Sequence, residues 1–381
     1  VVSRTVVVGA GIVGAAVASA LARRGHAVHV LEQGDPGSAV SGGSLACIGA
    51  HMIDVDELPA LQWAATAWAH FNDATGDALE YRRCGQLRFL EHAGERAAAA
   101  RAIAAERRHG LASVLLEPDA VRAREPALEG PIEAATWSPE SCMVNPFLAV
   151  RAYVVDARAH GAIVRSRARV DALETAGERV VAVRVGDERV ACDAVVLAAG
   201  PWTARIAATA GVALPIVPRK AQCLATVAQP PTIRAIIGAC KAEGGVDAGY
   251  TQIQQADSGQ ILFNTVLAGG TSAAGGLDAT PEVDRAFVRD SVAMLVRLFP
   301  RVREVELLRS WVRYEAVTPD DRFLVGGAGL AGLFVAAGDG GTGFTRAPAI
   351  GRIIADLLDG GTTPFRTDLY DPMRFAPAPI A

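Results

Sequence analysis

The chain has 381 residues, of which 51% are hydrophobic and 20% charged, so it is globular with a large core and, by its length, about two domains. Its net charge of −4 comes with no basic run, which argues against nucleic acid or an anionic membrane as the main partner. The six cysteines (Cys47, Cys84, Cys142, Cys192, Cys223 and Cys240) form no C-x-x-C pair and have no histidine at a zinc-finger distance. Zinc, iron–sulfur and dithiol sites are therefore not expected, and scattered thiols suit a reducing cytoplasm.

Thr5–Val8 reads as a buried strand. Gly9-Ala10-Gly11-Ile12-Val13-Gly14 then matches G-x-G-x-x-G, and Ile12 to Ala22 reads as a packed helix stopped by Gly25. A second strand, Ala27–Leu31, closes on Glu32. Each part has a physical task in holding a dinucleotide. Gly9 permits the tight turn, Gly11 lets the backbone approach a pyrophosphate, and Gly14 lets helix and strand touch. The helix N-terminus offers free N–H groups to phosphate, and Glu32 can accept hydrogen bonds from a ribose diol. The glycines and the following Arg23-Arg24 argue against reading Val6–Ala22 as a signal peptide.

Gln33 to Ile53, rich in glycine and serine, reads as an extended segment able to run along a ligand rather than as the next strand and helix of an NAD-type domain. Glu95–Gly110 is a surface helix, and hairpin-like strands are expected around Val170–Thr175 and Val180–Val190. Asp193–Ile206 holds a buried strand ending in Ala-Ala-Gly, and Gly249–Leu267 reads as a hairpin turning at Asp257-Ser258-Gly259. Thr280–Pro300 reads as a helix with Thr280 as N-cap. Leu333–Ala337 is a strand, followed by a second glycine turn, Gly338 to Gly343, and a helix from near Thr345 with Pro348 in its first turn.

These motifs resemble the FAD-dependent amino-acid and amine oxidoreductases, the family of glycine oxidase, sarcosine oxidase and D-amino-acid dehydrogenase. The resemblance spans nearly the whole chain. It rests on the N-terminal fingerprint with Glu32, Ser41–His51, Val195–Trp202, Val317–Gly326 and the C-terminal glycine turn. It implies an α/β plus α+β fold, with a Rossmann-type FAD-binding domain (1–50, 135–205 and 305–381) and a discontinuous, sheet-containing substrate domain (51–134 and 206–304). It also implies that Glu32 and Gln33 lie at the adenosine ribose, Ser41 and Gly42 by the pyrophosphate, and Leu45, Ala46 and Cys47 by the flavin ring. Val170 would meet adenine, while Ala199, Gly200 and Trp202 would flank the cofactor.

The second turn, Gly338, Gly340, Gly341, Thr342, Gly343, Phe344 and Thr345, would aim a helix N-terminus at the flavin, where negative charge develops on reduction. His51, at the end of the flavin-lining segment, is expected in a helix-start or packing role, and Cys47 as a small wall residue.

The chain departs from its relatives where they hold the substrate carboxylate. Glu315 stands at the usual arginine position, and Thr345 followed by Arg346 at the usual lysine. Arg313, Arg346, Arg219 and Lys220 are substitute clamps, and Tyr250 is a further candidate at the site. Glu315 suggests a cationic group in the substrate or a partner's arginine. These departures resemble FAD subunits of heteromeric opine oxidases and D-hydroxyproline dehydrogenase, in which partners carry a second flavin and an iron–sulfur cluster. No cysteine follows Cys240, so non-covalent FAD is expected.

Overall fold

The computed structural model describes residues 3–240, 251–265, 276–279, 281–338 and 340–375. A six-stranded sheet runs in the order Leu324–Gly327, Leu333–Ala337, Ala194–Leu197, Arg4–Val8, Ala27–Leu31, Ile163–Arg165. Neighbours are parallel except the first pair, which is antiparallel. The helices Ile12–Arg23, Pro146–Ala159 and Gly343–Leu358 cover one face through Val7, Val28, Val30 and Val196. A three-stranded meander, Ala172–Ala176, Arg179–Val185 and Glu188–Ala191, covers the other through Val6, Val8 and Leu31. The hairpin expected here thus has one more strand, because Gly186 turns the chain at φ +57°.

The second sheet has eight strands, in the order Leu307–Val317, Val217–Thr226, Ile261–Thr265, Thr251–Gln255, Ile236–Ala239, Gln86–Leu90, Ala134–Ser138, Val114–Leu116. Segments 135–138 and 307–317, expected with the dinucleotide-binding part, pair into this sheet. Its outer face packs Leu224, Ile253, Phe263 and Phe89 under the helix Arg285–Leu298. Its inner face is polar. Register places Glu315 with Arg219, Gln252 with Asn264 and Arg88 with Thr136 on that side.

Two helix starts differ from expectation. Thr280, expected as N-cap, lies outside the described residues, and the helix is capped by Asp284, whose carboxylate accepts the N–H groups of Ala286 (2.8 Å) and Phe287 (3.2 Å). The C-terminal helix starts at Gly343, which puts Pro348 in its second turn. Proline has no N–H for the carbonyl four residues back, Phe344. The buried Trp68 indole fills that role, donating to Phe344 O at 2.8 Å. Trp68 also meets Tyr153 edge-on at 5.4 Å, tying three helices together.

Replacing Trp68 with Phe leaves the Phe344 carbonyl without a donor. The variant should lose about 1–3 kcal/mol of unfolding free energy in urea titrations.

Candidate cofactor and active site

The first glycine turn opens on a cleft. Gly9 has φ +101°, and a Cβ there would meet Ala198 O at 2.5 Å. A Cβ on Gly14 would meet Gly9 O at 2.1 Å, so the helix lies directly on the turn. At Gly11 an added Cβ would meet only the Ser41 hydroxyl, at 3.0 Å. Glu32 is buried, and its carboxylate accepts Ala10 N–H at 2.7 Å and Gly34 N–H at 2.8 Å. Ser41 Oγ accepts Ile12 N–H at 2.9 Å.

Of the residues expected at a dinucleotide, Gly9, Gly11, Ile12, Val13, Glu32, Gln33, Ser41, Val170, Ala199, Gly200 and Trp202 line the cleft. Gly14 lies behind it as packing, and Gly42 turns back to bond Gly37 O at 2.8 Å. Sequence reading missed Gly37, Ser38, Arg169, Pro201, Arg205 and Phe323, which also line it. The positive φ of Gly37 (+75°) was a signal available only in hindsight.

Leu45, Ala46 and Cys47 lie beyond the cleft lining, in a segment held from three directions. Gln254 Nε2 donates to Leu45 O at 2.6 Å, and Trp311 Nε1 to Gly43 O at 2.9 Å. From the second glycine turn, Thr345 Oγ1 donates to Cys47 O at 3.3 Å and accepts Gly49 N–H at 3.4 Å. Gly338, Gly340 and Gly341 all have positive φ, and Gly340 N–H bonds Ala316 O at 2.8 Å. Thr342 is the N-cap residue of the helix, and Gly343 and Phe344 begin it, with no acid in the first turn. The second turn and the segment Ser41–His51 are thus stitched together. Burial pushes the Cys47 thiol up to about 12, which disfavours the thiolate.

The expected carboxylate clamps have different fates. Arg346, contrary to that expectation, is buried in a bidentate pair with Glu57, both N···O distances 2.7 Å, with Tyr370 Oη donating to the same carboxylate. Glu315 already has its cation. Arg219, directly opposite on the neighbouring strand, donates to Oε2 at 2.9 Å and 3.2 Å and to Gly340 O at 3.1 Å. This pair braces the second turn, so the cation expected at Glu315 comes from Arg219 of the same chain and not from a substrate. Lys220 alternates onto the strand face opposite Arg219. Arg313 packs its stem on Gly43 and donates back to Val312 O at 2.8 Å. Tyr250 lies outside the described residues.

Residues 4–357 match the family model described as DAO, FAD dependent oxidoreductase. The chain belongs to this family. It is 26% identical to D-amino acid dehydrogenase of Paramagnetospirillum magneticum, over 94% of this chain and 95% of that one. It is 27% identical to 4-methylaminobutanoate oxidase (formaldehyde-forming) of Paenarthrobacter nicotinovorans over 98% of this chain, but spans only 46% of that protein's length. Among solved structures, L-proline dehydrogenase from P. horikoshii superposes with a TM-score of 0.89 at 27% identity, covering 98% of both chains. Glycine oxidase from Geobacillus kaustophilus shares the fold, with a TM-score of 0.88 at 22% identity over 98% of this chain and 99% of that one.

FAD, the cofactor of the DAO family, fits the residues present. Gly9 and Gly14 have no room for a side chain, the buried carboxylate of Glu32 keeps acceptor capacity facing the cleft, and the helix N-terminus opens on it. His51 begins no helix. It is buried, with Nδ1 2.9 Å from Glu106 Oε2 and Nε2 2.7 Å from Thr136 Oγ1. This joins the end of the segment Ser41–His51 to the helix Arg96–Arg108 and the second sheet. Burial lowers the His51 pKa against the pull of Glu106. For Glu106 burial raises the pKa, but hydrogen bonds from His51, Ser113 and Met52 N–H prevail and hold it below its ordinary value.

Two outcomes are expected. Glu32→Ala strands the Ala10 and Gly34 N–H groups and removes the acceptor at the cleft. Apoprotein stability should fall by about 1–3 kcal/mol and FAD affinity by about tenfold or more, read by thermal melts and flavin-fluorescence titration. The second concerns pH. Unfolded His51 titrates near 6.5, whereas the folded side chain binds its proton only at lower pH. Between those values the unfolded state holds more protons, so stability falls on acidification below 6.5. Glu106 acts in the same sense at lower pH, its contribution present above its ordinary 4.5 and lost as pH drops through the folded value. His51→Gln should flatten the urea-midpoint profile on acidification below pH 6.5.

Proposed function

We propose that this chain oxidises the C–N bond of an amino acid or secondary amine to an imine, which water hydrolyses to a keto acid or aldehyde. When bound, FAD supplies at N5 the hydride acceptor for a C–H beside nitrogen. The substrate classes are a D-amino acid, an N-substituted amino acid, hydroxyproline or an opine. The chain acts as the dehydrogenase subunit of a complex whose partners carry a second flavin and an iron–sulfur cluster. Full-length similarity to proteins named as D-amino acid and L-proline dehydrogenases supports the dehydrogenase reading.

One observation carries the proposal: the acid-free N-terminus of the helix Gly343–Leu358 is fastened through Thr345 to Cys47 and Gly49. Its N–H groups and dipole favour negative charge arising beside that segment. The Arg219–Glu315 pair, joined to Gly340 O, keeps the turn in place. The inner face of the second sheet, with Gln252, Gln254 and Asn264 buried, roofs the segment and limits water.

Anaerobic mixing with the four amine classes should bleach the flavin absorption with at least one. Dye reduction in air should outrun peroxide formation, and acid precipitation should release FAD into the supernatant. Peroxide at the rate of dye reduction would make the chain an oxidase. Failure of every amine to bleach the flavin, alone or with partner subunits, would leave a flavin-carrying assembly role.

A further inference from the structure

Arg88 was not singled out by its sequence context, yet its surroundings differ from those of every clamp considered above. It lies on the strand Gln86–Leu90, opposite Thr136 in one neighbour and beside Gly238 in the other. Thr136 bonds the His51 ring at 2.7 Å, and Arg88 Nη2 donates to His51 O at 3.2 Å. The Arg88 side chain therefore faces the end of the flavin-lining segment. The Arg88 stem runs across Gly238, where an added Cβ would stand 3.6 Å from its Cγ.

No carboxylate pairs with Arg88 among the described residues, and its Nε is buried with no hydrogen-bond partner. The nearby buried acid, Glu106, is taken up by His51, Ser113 and Met52 N–H. An orphaned guanidinium N–H in the interior is costly, and its planar fork matches a carboxylate. By contrast, Arg219 and Arg346 already hold acids, and Arg313 turns back on its own strand. The charge of Arg88 also acts on the Cys47 thiol, countering the effect of burial there.

We propose that Arg88 binds the carboxylate of the substrate beside Cys47 and His51. The assignment rests on the amine-oxidation reading, and it gives this chain an anion site on the middle of the sheet, in place of one on the edge strand where Glu315 stands.

The test uses FAD-loaded protein titrated with pyrrole-2-carboxylate and propionate, each against its neutral amide, with the flavin absorption spectrum as readout. Wild type should bind the acids saturably and the amides at least about tenfold more weakly. Arg88→Gln should raise the Kd for the acids about a hundredfold and erase the preference over the amides. Arg88→Lys should keep the preference with a Kd raised about tenfold, since an ammonium cannot form two parallel bonds.

Three results overturn the assignment: acids and amides acting alike on wild type, Arg88→Gln binding as wild type, or Arg313→Gln taking the loss instead. Should Arg88→Gln fail to load FAD, Arg88→Lys decides, and an unchanged Kd at an unchanged melting temperature overturns it. Amine bleaching is scored separately. Acid binding lost with Arg88 but no amine bleaching wild type would sink the amine reading and leave the anion site standing.

Discussion

The fold hangs on a contact that tolerates no side chain. A Cβ on Gly14 would lie 2.1 Å from the carbonyl of Gly9, and one on Gly9 would lie 2.5 Å from that of Ala198. The first helix can therefore rest on the turn that precedes it and on the adjacent strand. The same economy recurs where the two glycine-turn helices meet, since a Cβ on Gly351 would stand 2.9 Å from Ala16 O. Two helix N-termini from opposite ends of the chain are thereby fixed on one sheet, and the cleft follows from that geometry.

The segment from Ser41 to His51 has little structure of its own beyond the two-residue strand Cys47–Ile48. Its position comes from side chains far away in sequence: Gln254, Trp311, Thr345, Thr136 and Arg88 each reach its backbone or its histidine. Ala46 holds φ +52°, a strained conformation for alanine that such a set of anchors can enforce. Four strands of the eight-stranded sheet and the C-terminal helix thus converge on one strip of chain.

The dinucleotide half of the site was legible because its chemistry is local. Turn, helix start and acid fall within about thirty residues, and each glycine answers a steric demand of its neighbours. The meaning of charged residues was not legible in that way. Glu315 looked like a partner for substrate until Arg219 appeared across the ladder, and Arg346 looked available until Glu57 closed on it. Arg88 drew no notice, because an arginine in an amphipathic strand has no local signature of a missing partner. Pro348 was read as a first-turn residue, and the donor that lets it stand deeper, Trp68, lies far off in the chain.

By itself the sequence determined the two strand–turn–helix units, the choice of a flavin dinucleotide over a nicotinamide one through the glycine-rich run after Glu32, and membership of a broad oxidoreductase family. Those features depend on backbone conformation and short-range sterics, which neighbouring residues dictate. Only the tertiary structure decided which ionisable groups are spent on one another and which are left over. Whether a charge is neutralised depends on register across strands and on packing between sheets, and neither is written in any one stretch of the chain.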